Sequence, residues 1–285
     1  LRLYYLFNQN IFPIFTSNYY FLCMNSRTIT FLFLIIPTVS FAQIIWKHTE
    51  ETAIFNAERR NRDIIPDKYI TVKLNHAELE RQLAVAPKEF VELGSRSEYA
   101  IELPMPDGSF ESFVVWQAPV MEPGLAAKYP AIKSFKAYQK SDKTVTARFS
   151  IGPNGFHGAI RADEGLVYID PYSIGDLQHY IVYYTSDHKD ESLQDRVLCG
   201  TEASHQINNI NKPKWGIKRL GDKLELRKYR LALACTGEWG AIRGTKEKAL
   251  ADMVAFVERG NIVFEAELGL TAVLIEKNDE LIFLD

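Results

Sequence analysis

The middle of the chain alternates hydrophobic and polar residues with the two-residue period of β-strands. Strands are predicted at Tyr69–Leu74 and on both sides of Pro106-Asp-Gly108, a sequence typical of a hairpin turn. Asn75–Leu83 has an Asn cap and helix-forming residues, which predict a short helix. The two strands that flank the hairpin turn are 97–103 and 110–116, and the remaining predicted strands are 134–140, 144–151, 155–161 and 165–170. Short strands at even spacing indicate an antiparallel sandwich or a barrel-like sheet.

The C-terminal part of the chain has a different pattern. Apolar residues recur at helical spacing after Thr245, which is placed to cap a helix; they are Leu250, Val254, Val257, Phe264 and Leu268. Gly260-Asn261 is expected to interrupt this helix weakly. Around it the pattern predicts a strand, a Gly-containing turn and two further strands, at Leu224–Cys235, Thr236–Gly240, Leu268–Glu276 and Glu280–Leu284. These elements form the opening of a β-α-β unit, whose apolar strands need covering layers.

The N-terminal part carries the features of an export signal. Met24–Arg27 supplies a start and a positive charge, Ile29–Ile36 is apolar, and Ser40–Ala42 is a small-x-small cleavage site before Gln43. Residues 24–42 are therefore predicted to be a signal peptide cleaved after Ala42, rather than a membrane helix, which needs about 20 apolar residues. Residues 1–23 have no role in such a signal, and we interpret them as upstream sequence translated from a wrongly placed start. The alternative is a genuine hydrophobic extension.

Composition narrows the classes of function. The 285 residues include 33 Lys and Arg against 36 Asp and Glu, a net charge of −3, and 47% are hydrophobic. Residues 1–42 contain Arg2 and Arg27 and no acidic residue, so the exported part is more acidic still. This balance argues against a nucleic-acid surface, which needs a basic stripe. The length allows one complete domain and the beginning of a second.

Few residues suggest chemistry by spacing alone. His76-Ala-Glu78 has the H-x-E spacing of a zinc deaminase, but no P-C-x-x-C follows it. The other histidines considered lack a partner at helical spacing and are expected to be structural or solvated; they are His157, His179, His188 and His205. We also considered Glu238, Glu265 and Glu267 as ligands of a structural calcium, although no spacing supports this. No catalytic or metal-binding residue is assigned.

Segments in both halves of the chain match one protein family. The closer matches are Leu226–Trp239, Met253–Phe264 with its Asn261-x-x-Phe264, Thr271–Ile275 and Asn278-Asp279, and the weaker ones are Gly155–Gly158, Val167–Tyr172 and His179–Tyr184. Together they resemble reprolysin-like (adamalysin-type) zinc metallopeptidases of secreted bacterial proteins. The resemblance implies an α+β chain with a β-rich antiparallel prodomain (43–201), a linker (202–223) and the truncated start of a metzincin-like α/β catalytic domain (224–285).

The resemblance also implies a function. In that family a zinc motif, H-E-x-x-H-x-x-G-x-x-H, lies downstream of these segments, and this sequence does not contain it. The full-length family enzyme is expected to bind zinc and to hydrolyse protein or peptide substrates with a zinc-activated water. The present chain is predicted to be inactive by itself. It is expected to be secreted or exposed at the cell surface, with no nucleic-acid partner and no membrane attachment after signal removal.

Two positions are candidates for control of such an enzyme. The segment Arg196-Val-Leu-Cys199-Gly200 resembles a latency motif whose cysteine binds the catalytic zinc as a thiolate, in place of the attacking water. The alternatives for Cys199 are a free thiol, a structural thiol or a disulfide with Cys235. Cys235 ends an apolar strand and is predicted to be a buried thiol. Lys218-Arg219, in the polar linker, is a candidate processing site, and the alternative is a plain spacer.

Two classes of function follow. The first is the N-terminal part of a secreted zinc metalloendopeptidase precursor. The second is a non-catalytic secreted protein, either a β-rich binding module or a stand-alone inhibitory prodomain. A reading frame that continues beyond Asp285 into the zinc motif supports the first class, and a stop codon there supports the second.

Overall fold

A computed structural model describes residues 44–54, 62–89, 99–188 and 226–284, and all of them belong to one compact unit, Gln43–Asp285. Within these ranges, nine strands form one antiparallel sheet. They are β1 (Trp46–His48), β2 (Ile70–Leu74), β3 (Ala100–Pro104), β4 (Phe110–Gln117), β5 (Lys133–Gln139), β6 (Thr146–Gly152), β7 (Gly155–Ala162), β8 (Gly165–Pro171) and β9 (His179–Tyr184). Two short helices accompany them, α1 (His76–Leu83) and α2 (Pro123–Lys128).

The sheet is nearly closed, with the strand order β1-β2-β9-β8-β7-β6-β5-β4-β3. Its two edges meet where Nε2 of His48 in β1 lies 2.8 Å from the carbonyl oxygen of Gly108, in the turn between β3 and β4. The His48 ring also packs on Phe110, with the ring centroids 4.8 Å apart. The predicted barrel-like antiparallel sheet is therefore confirmed. We call the described residues between 44 and 188 the barrel.

The interior of the barrel is filled with aromatic side chains. Trp46 packs edge-on against Phe156 and Tyr180, with centroid distances of 5.2 and 5.5 Å, and Phe135 stacks on Phe149 at 5.2 Å. All five side chains are essentially inaccessible to solvent. Because alternate residues of a strand point to opposite faces, the period seen in the sequence places these residues inside.

Most predicted elements of the barrel are confirmed, with ends that shift by a few residues. Helix α1 begins after Asn75, whose side-chain oxygen accepts a hydrogen bond from the backbone N–H of Glu78 at 3.2 Å. Strand β1, only three residues long, was not predicted, because so short a segment shows no period.

The C-terminal residues form the predicted β-α-β unit. Its elements are β10 (Arg227–Leu231), α3 (Gly237–Arg243), α4 (Lys246–Leu268) and β11 (Leu270–Leu274), and β10 pairs with β11 in parallel. Thr245 caps α4 as predicted, since its hydroxyl accepts from the N–H of Lys248 at 3.2 Å. We call residues 226–284 the C-terminal unit.

Three predictions for this unit were wrong. Thr236–Gly240 is not a turn, because Gly237 begins helix α3. Helix α4 runs through Gly260-Asn261 without interruption, because Asn261 is buried and its side-chain amide exchanges two hydrogen bonds with the backbone of Ala272. Glu280–Leu284 is not a strand; Asn278–Leu281 is a 3₁₀ helix, and only Ile282 makes a single bridge to Cys235.

Helix α4 packs on the outer face of the barrel at β6 and β7. A Cβ atom at Gly152 of β6 would lie 3.5 Å from the Cβ of Ala251, which shows how closely the two elements approach. The barrel therefore provides the covering layer that the apolar C-terminal unit needs. No helix among the described residues is long and apolar enough to cross a membrane.

Candidate functional site

The most unusual chemistry of the described residues lies between the barrel and helix α4. Strand β6 is buried on both faces, with Ala147, Phe149 and Ile151 inside the barrel and Arg148 and Ser150 on the outer face. The outer face of a barrel strand is normally solvated, but here α4 covers it. Strand alternation therefore places the guanidinium of Arg148 in a buried position that faces the helix.

Arg148 is neutralised by two carboxylates of α4. Its Nη1 donates to Oε2 of Glu258 at 2.7 Å, and its Nη2 and Nε donate to the two oxygens of Glu265 at 2.5 and 3.3 Å. Glu265 also pairs with Lys136 of β5 at 3.0 Å. The side chains of Arg148 and Glu258 are only 4% and 2% exposed, so Glu258, when it is ionised, depends on Arg148 for compensation of its charge.

Burial affects the two carboxylates differently. For Glu258, desolvation raises the pKa to about 7, although Arg148 opposes this. Its Oε1 atom has no hydrogen-bond partner among the described residues. For Glu265, desolvation is outweighed by Arg148 and Lys136, and the pKa lies below its ordinary value. Two neighbouring carboxyl groups thus have pKa values shifted in opposite directions.

A second buried cluster joins α4 to β7, β8 and β9. The carboxylate of Asp170 accepts hydrogen bonds from Arg259 of α4, from Nδ1 of His157 at 2.9 Å and from the hydroxyl of Tyr183 at 3.0 Å. Burial would raise the pKa of Asp170, but Arg259 and His157 hold it well below the ordinary value. The guanidinium of Arg259 also lies over the ring of Tyr168, 4.3 Å from its centroid.

A cleft of about 180 Å³ lies beside this cluster and is lined by both the barrel and the C-terminal unit. His157, Asn154 and Lys248 are among its lining residues. The side-chain amide of Asn154 donates to the carbonyl of Lys248 at 2.8 Å and to the carboxylate of Asp252 at 2.5 Å. Asn154 thus joins the barrel to the C-terminal unit across the cleft.

The described residues do not provide a zinc site. Within the described ranges, no group of three or more His, Cys, Asp or Glu side chains is placed to hold a metal ion. Of the glutamates considered for calcium, Glu265 pairs instead with Arg148 and Lys136. His157 and His179 each pair with an aspartate, Asp170 and Asp176, at 2.9 Å. We therefore assign no metal-dependent step to these residues.

Of the two cysteines of the exported part, one can be placed in the structure. Cys235 is a buried free thiol as predicted, and its burial raises its pKa. Cys199, Ala42, Lys218 and Arg219 lie outside the described residues.

Sequence reasoning missed the residues of this interface. A signal is present in α4, where two alanines, two glutamates and an isoleucine recur at three- and four-residue intervals along one face, at Ala251, Ala255, Glu258, Ile262 and Glu265. The more apolar stripe of the same helix dominates the pattern and masks this second buried face.

Comparisons of the chain with protein-family models, with curated proteins and with solved structures each gave no match.

Proposed function

We propose that the chain is the N-terminal part of the precursor of a secreted zinc metalloendopeptidase. The barrel is its prodomain, and the C-terminal unit is the beginning of a metzincin-like catalytic domain. The observation that carries this proposal is a parallel β-α-β unit, β10-α4-β11, seated on a separate antiparallel barrel. This is the layout that the reprolysin-like resemblance of both halves implies.

The interface supports a prodomain role for the barrel. Buried ion pairs join α4 to β6 and to β8, through Arg148 with Glu258 and through Asp170 with Arg259. Buried charges that lose their partner are costly, so they favour one specific mate over a general apolar surface. A prodomain that holds a folding catalytic domain in one orientation needs such a surface.

In the full-length enzyme, zinc bound by downstream residues would supply the activated water for peptide hydrolysis. Cys199 is proposed to hold the precursor latent as a zinc-bound thiolate, and cleavage near Lys218-Arg219 is proposed to separate it from the catalytic domain.

The test compares the complete gene product with residues 43–285 alone. We expect the complete product to hydrolyse casein in a manner blocked by a zinc chelator, and residues 43–285 to be inactive. Chelator-sensitive hydrolysis by residues 43–285, or a stop codon directly after Asp285, would overturn the proposal.

Latency is tested with two cysteine variants of the complete product. Cys199→Ala is expected to raise the activity of the unprocessed precursor. Cys235→Ala is the matched control, because this thiol is buried in the C-terminal unit, and it should leave latency intact. Unchanged latency in Cys199→Ala would remove the switch from the proposal.

The second candidate is a non-catalytic secreted protein whose barrel acts as an inhibitory or binding module. The tight seating of α4 on the barrel favours this alternative equally well, because it needs no catalytic residue. The reading frame after Asp285 separates the two candidates.

A further inference from the structure

The outer edge of β11 is closed by a segment of the barrel region. Between β4 and α2, the chain passes alongside β11, where the N–H of Leu274 donates to the carbonyl of Val120 at 2.8 Å. The N–H of Glu122 in turn donates to the carbonyl of Leu274 at 2.9 Å, and Met121 forms a parallel bridge with Leu274. Val120–Glu122 thus extends the two-stranded sheet of the C-terminal unit as a short third strand.

The side chains of this segment make the contact specific. Val120 and Met121 are buried in one apolar core with Leu274. The carboxylate of Glu122 accepts from Nε and Nη2 of Arg230 at 2.5 and 3.2 Å, and from the N–H of Glu276 at 2.8 Å. The hydrogen bonds from Arg230 and Glu276 lower the pKa of Glu122, so it is ionised over the physiological range. Glu122 therefore contacts both strands of the C-terminal unit, β10 through Arg230 and β11 through Leu274.

The barrel region contacts the unit at two more places. Lys128 and Tyr129, at the end of α2, both bind the buried carboxylate of Asp279. On the other side, Arg148 binds Glu258 and Glu265 of α4. Backbone pairing, an apolar core and buried charges thus combine where the barrel region contacts the C-terminal unit.

We propose that Val120–Tyr129, together with Arg148, forms a recognition surface for the C-terminal unit as a separate polypeptide. After the linker (202–223) is cut, the barrel keeps the unit bound by adding a strand to β11. Strand addition of this kind binds a partner through its backbone, while side chains select it. The inference requires no hydrolytic activity, so its failure and that of the proposed function are distinguishable.

The test uses the folded, secreted chain with one recognition site for a sequence-specific protease inserted within 202–223. After complete cleavage, the two polypeptides are expected to co-elute in size-exclusion chromatography at about 1 μM, a concentration that requires a complex tighter than about −8 kcal/mol. Separate elution of the two cleaved polypeptides would overturn the proposal.

Two substitutions at one position separate the backbone pairing from the side-chain contacts. Glu122 has φ −61° and ψ 153°, a conformation that proline adopts without strain. Glu122→Ala removes the carboxylate alone, and Glu122→Pro also removes the N–H that donates to Leu274. We expect Glu122→Ala to weaken the cleaved complex about threefold and Glu122→Pro to weaken it about tenfold more, as for one hydrogen bond.

Lys73→Ala is the control. Lys73 is exposed on β2, which lies between β1 and β9 in the sheet and is not part of the proposed recognition surface. The substitution should leave the dissociation constant unchanged. A Glu122→Pro complex as strong as the Glu122→Ala complex would show that the hydrogen bond from the N–H of Glu122 to Leu274 contributes nothing to binding, and would count against strand addition.

Hydrogen exchange of the cleaved wild-type complex provides a test that does not depend on the folding of a variant. The amide protons of Glu122 and Leu274 are expected to exchange as slowly after cleavage as before it. Fast exchange at both amides, with the barrel strands still protected, would equally overturn the proposal.

Discussion

At the scale of single residues, Glu258 is the group that couples folding to pH. Its buried carboxyl group has a pKa raised to about 7, from 4.5 for an unperturbed glutamate. At a pH between these two pKa values, Glu258 holds a proton in the folded chain but not in the unfolded chain. The contribution of Glu258 to the free energy of unfolding is therefore full below the lower value and is lost as the pH rises to the upper one.

We expect Glu258→Gln to flatten the pH dependence of stability. In urea unfolding between about pH 5 and 7.5, the variant should lack a decrease on the order of 2 kcal/mol that the wild type shows. An unchanged slope would mean that Glu258 is already ionised in the folded protein.

Glu265→Gln is the control from the same ion cluster. The pKa of Glu265 is lowered, so its contribution is present above the unfolded value and is lost as the pH falls through the folded value. Its replacement should alter stability in acid. Because the charge of Glu265 also helps to raise the pKa of Glu258, the decrease between about pH 5 and 7.5 should become smaller but persist, in contrast to its loss in Glu258→Gln.

Asp170 provides a second prediction for a buried charge. Asp170→Asn leaves Arg259 without its carboxylate partner, and loss of one member of a buried pair costs about 3 kcal/mol or more. Arg230→Ala breaks an ion pair whose arginine is 70% exposed, and it should cost less than about 1 kcal/mol. The free energies of unfolding of both variants in urea test this contrast, and equal losses would contradict it.

The sequence did not reveal these residues because their partners are distant along the chain. Arg148 and Glu258 are separated by 110 residues. The alternation in 144–151 puts Arg148 on the face opposite to Ala147 and Phe149, where a charge on a barrel strand is normally solvated. Only the packing of α4 converts that polar position into a buried one.

At the scale of elements, two helical glycines, Gly240 and Gly260, separate the effect of close packing on stability from that of helix propensity. Gly240 lies in α3 with its Cα facing the chain after the 3₁₀ helix, and a Cβ atom there would lie 1.8 Å from the carbonyl oxygen of Phe283. Backbone cannot move aside as a side chain can. Gly240→Ala should therefore lower the free energy of unfolding by about 2 kcal/mol or more.

Gly260→Ala is the matched substitution in α4. There a Cβ atom would lie 3.2 Å from the ring of Phe264, the movable end of a side chain that is 40% exposed. Alanine favours a helix over glycine by about 1 kcal/mol, so this variant should be neutral or more stable. Thermal unfolding of both proteins measures the contrast, and a similar loss in both would show that the Phe283 contact is not responsible.

The same glycines explain which elements could be predicted. Helix α4 was recognised because its apolar period is long and Thr245 caps it. Gly237 and Gly240 made α3 resemble a turn, because the contact that requires Gly240 involves Phe283, far along the sequence. The β-strand propensity of Glu280–Leu284 was likewise overridden, since Asn278 binds the backbone of Leu233 and starts a 3₁₀ helix instead.

At the scale of the whole molecule, the barrel and the C-terminal unit share their buried charges. The barrel's antiparallel sheet and the parallel β-α-β unit were both predictable, since each has a local hydrophobic period. Their contact was not, because it depends on Arg148 and Asp170 of the barrel meeting Glu258 and Arg259 of α4. Sequence periodicity describes the faces of an element but does not specify which face meets which.

Shared buried charges predict that the two parts unfold together. Trp46 reports on the barrel core and Trp239 on the C-terminal unit. Two variants are compared: one retains only Trp46 and the other retains only Trp239, with phenylalanine at the other three positions, which include Trp116 and Trp215. We expect the fluorescence transitions of the two variants in urea to coincide. Transitions with different midpoints in these variants would contradict this, provided that their far-UV circular dichroism matches that of the wild type.

Arg148→Met shows whether the ion cluster causes this coupling. Methionine retains most of the apolar volume of the arginine but leaves Glu258 and Glu265 without their buried partner, so α4 loses both ion pairs with β6. The Trp239 transition should then move to lower urea than the Trp46 transition, because the barrel has a core of its own whereas the C-terminal unit depends on the barrel for cover. If both midpoints move equally, the apolar contacts of α4 are sufficient to join the two parts and the buried charges serve to orient them.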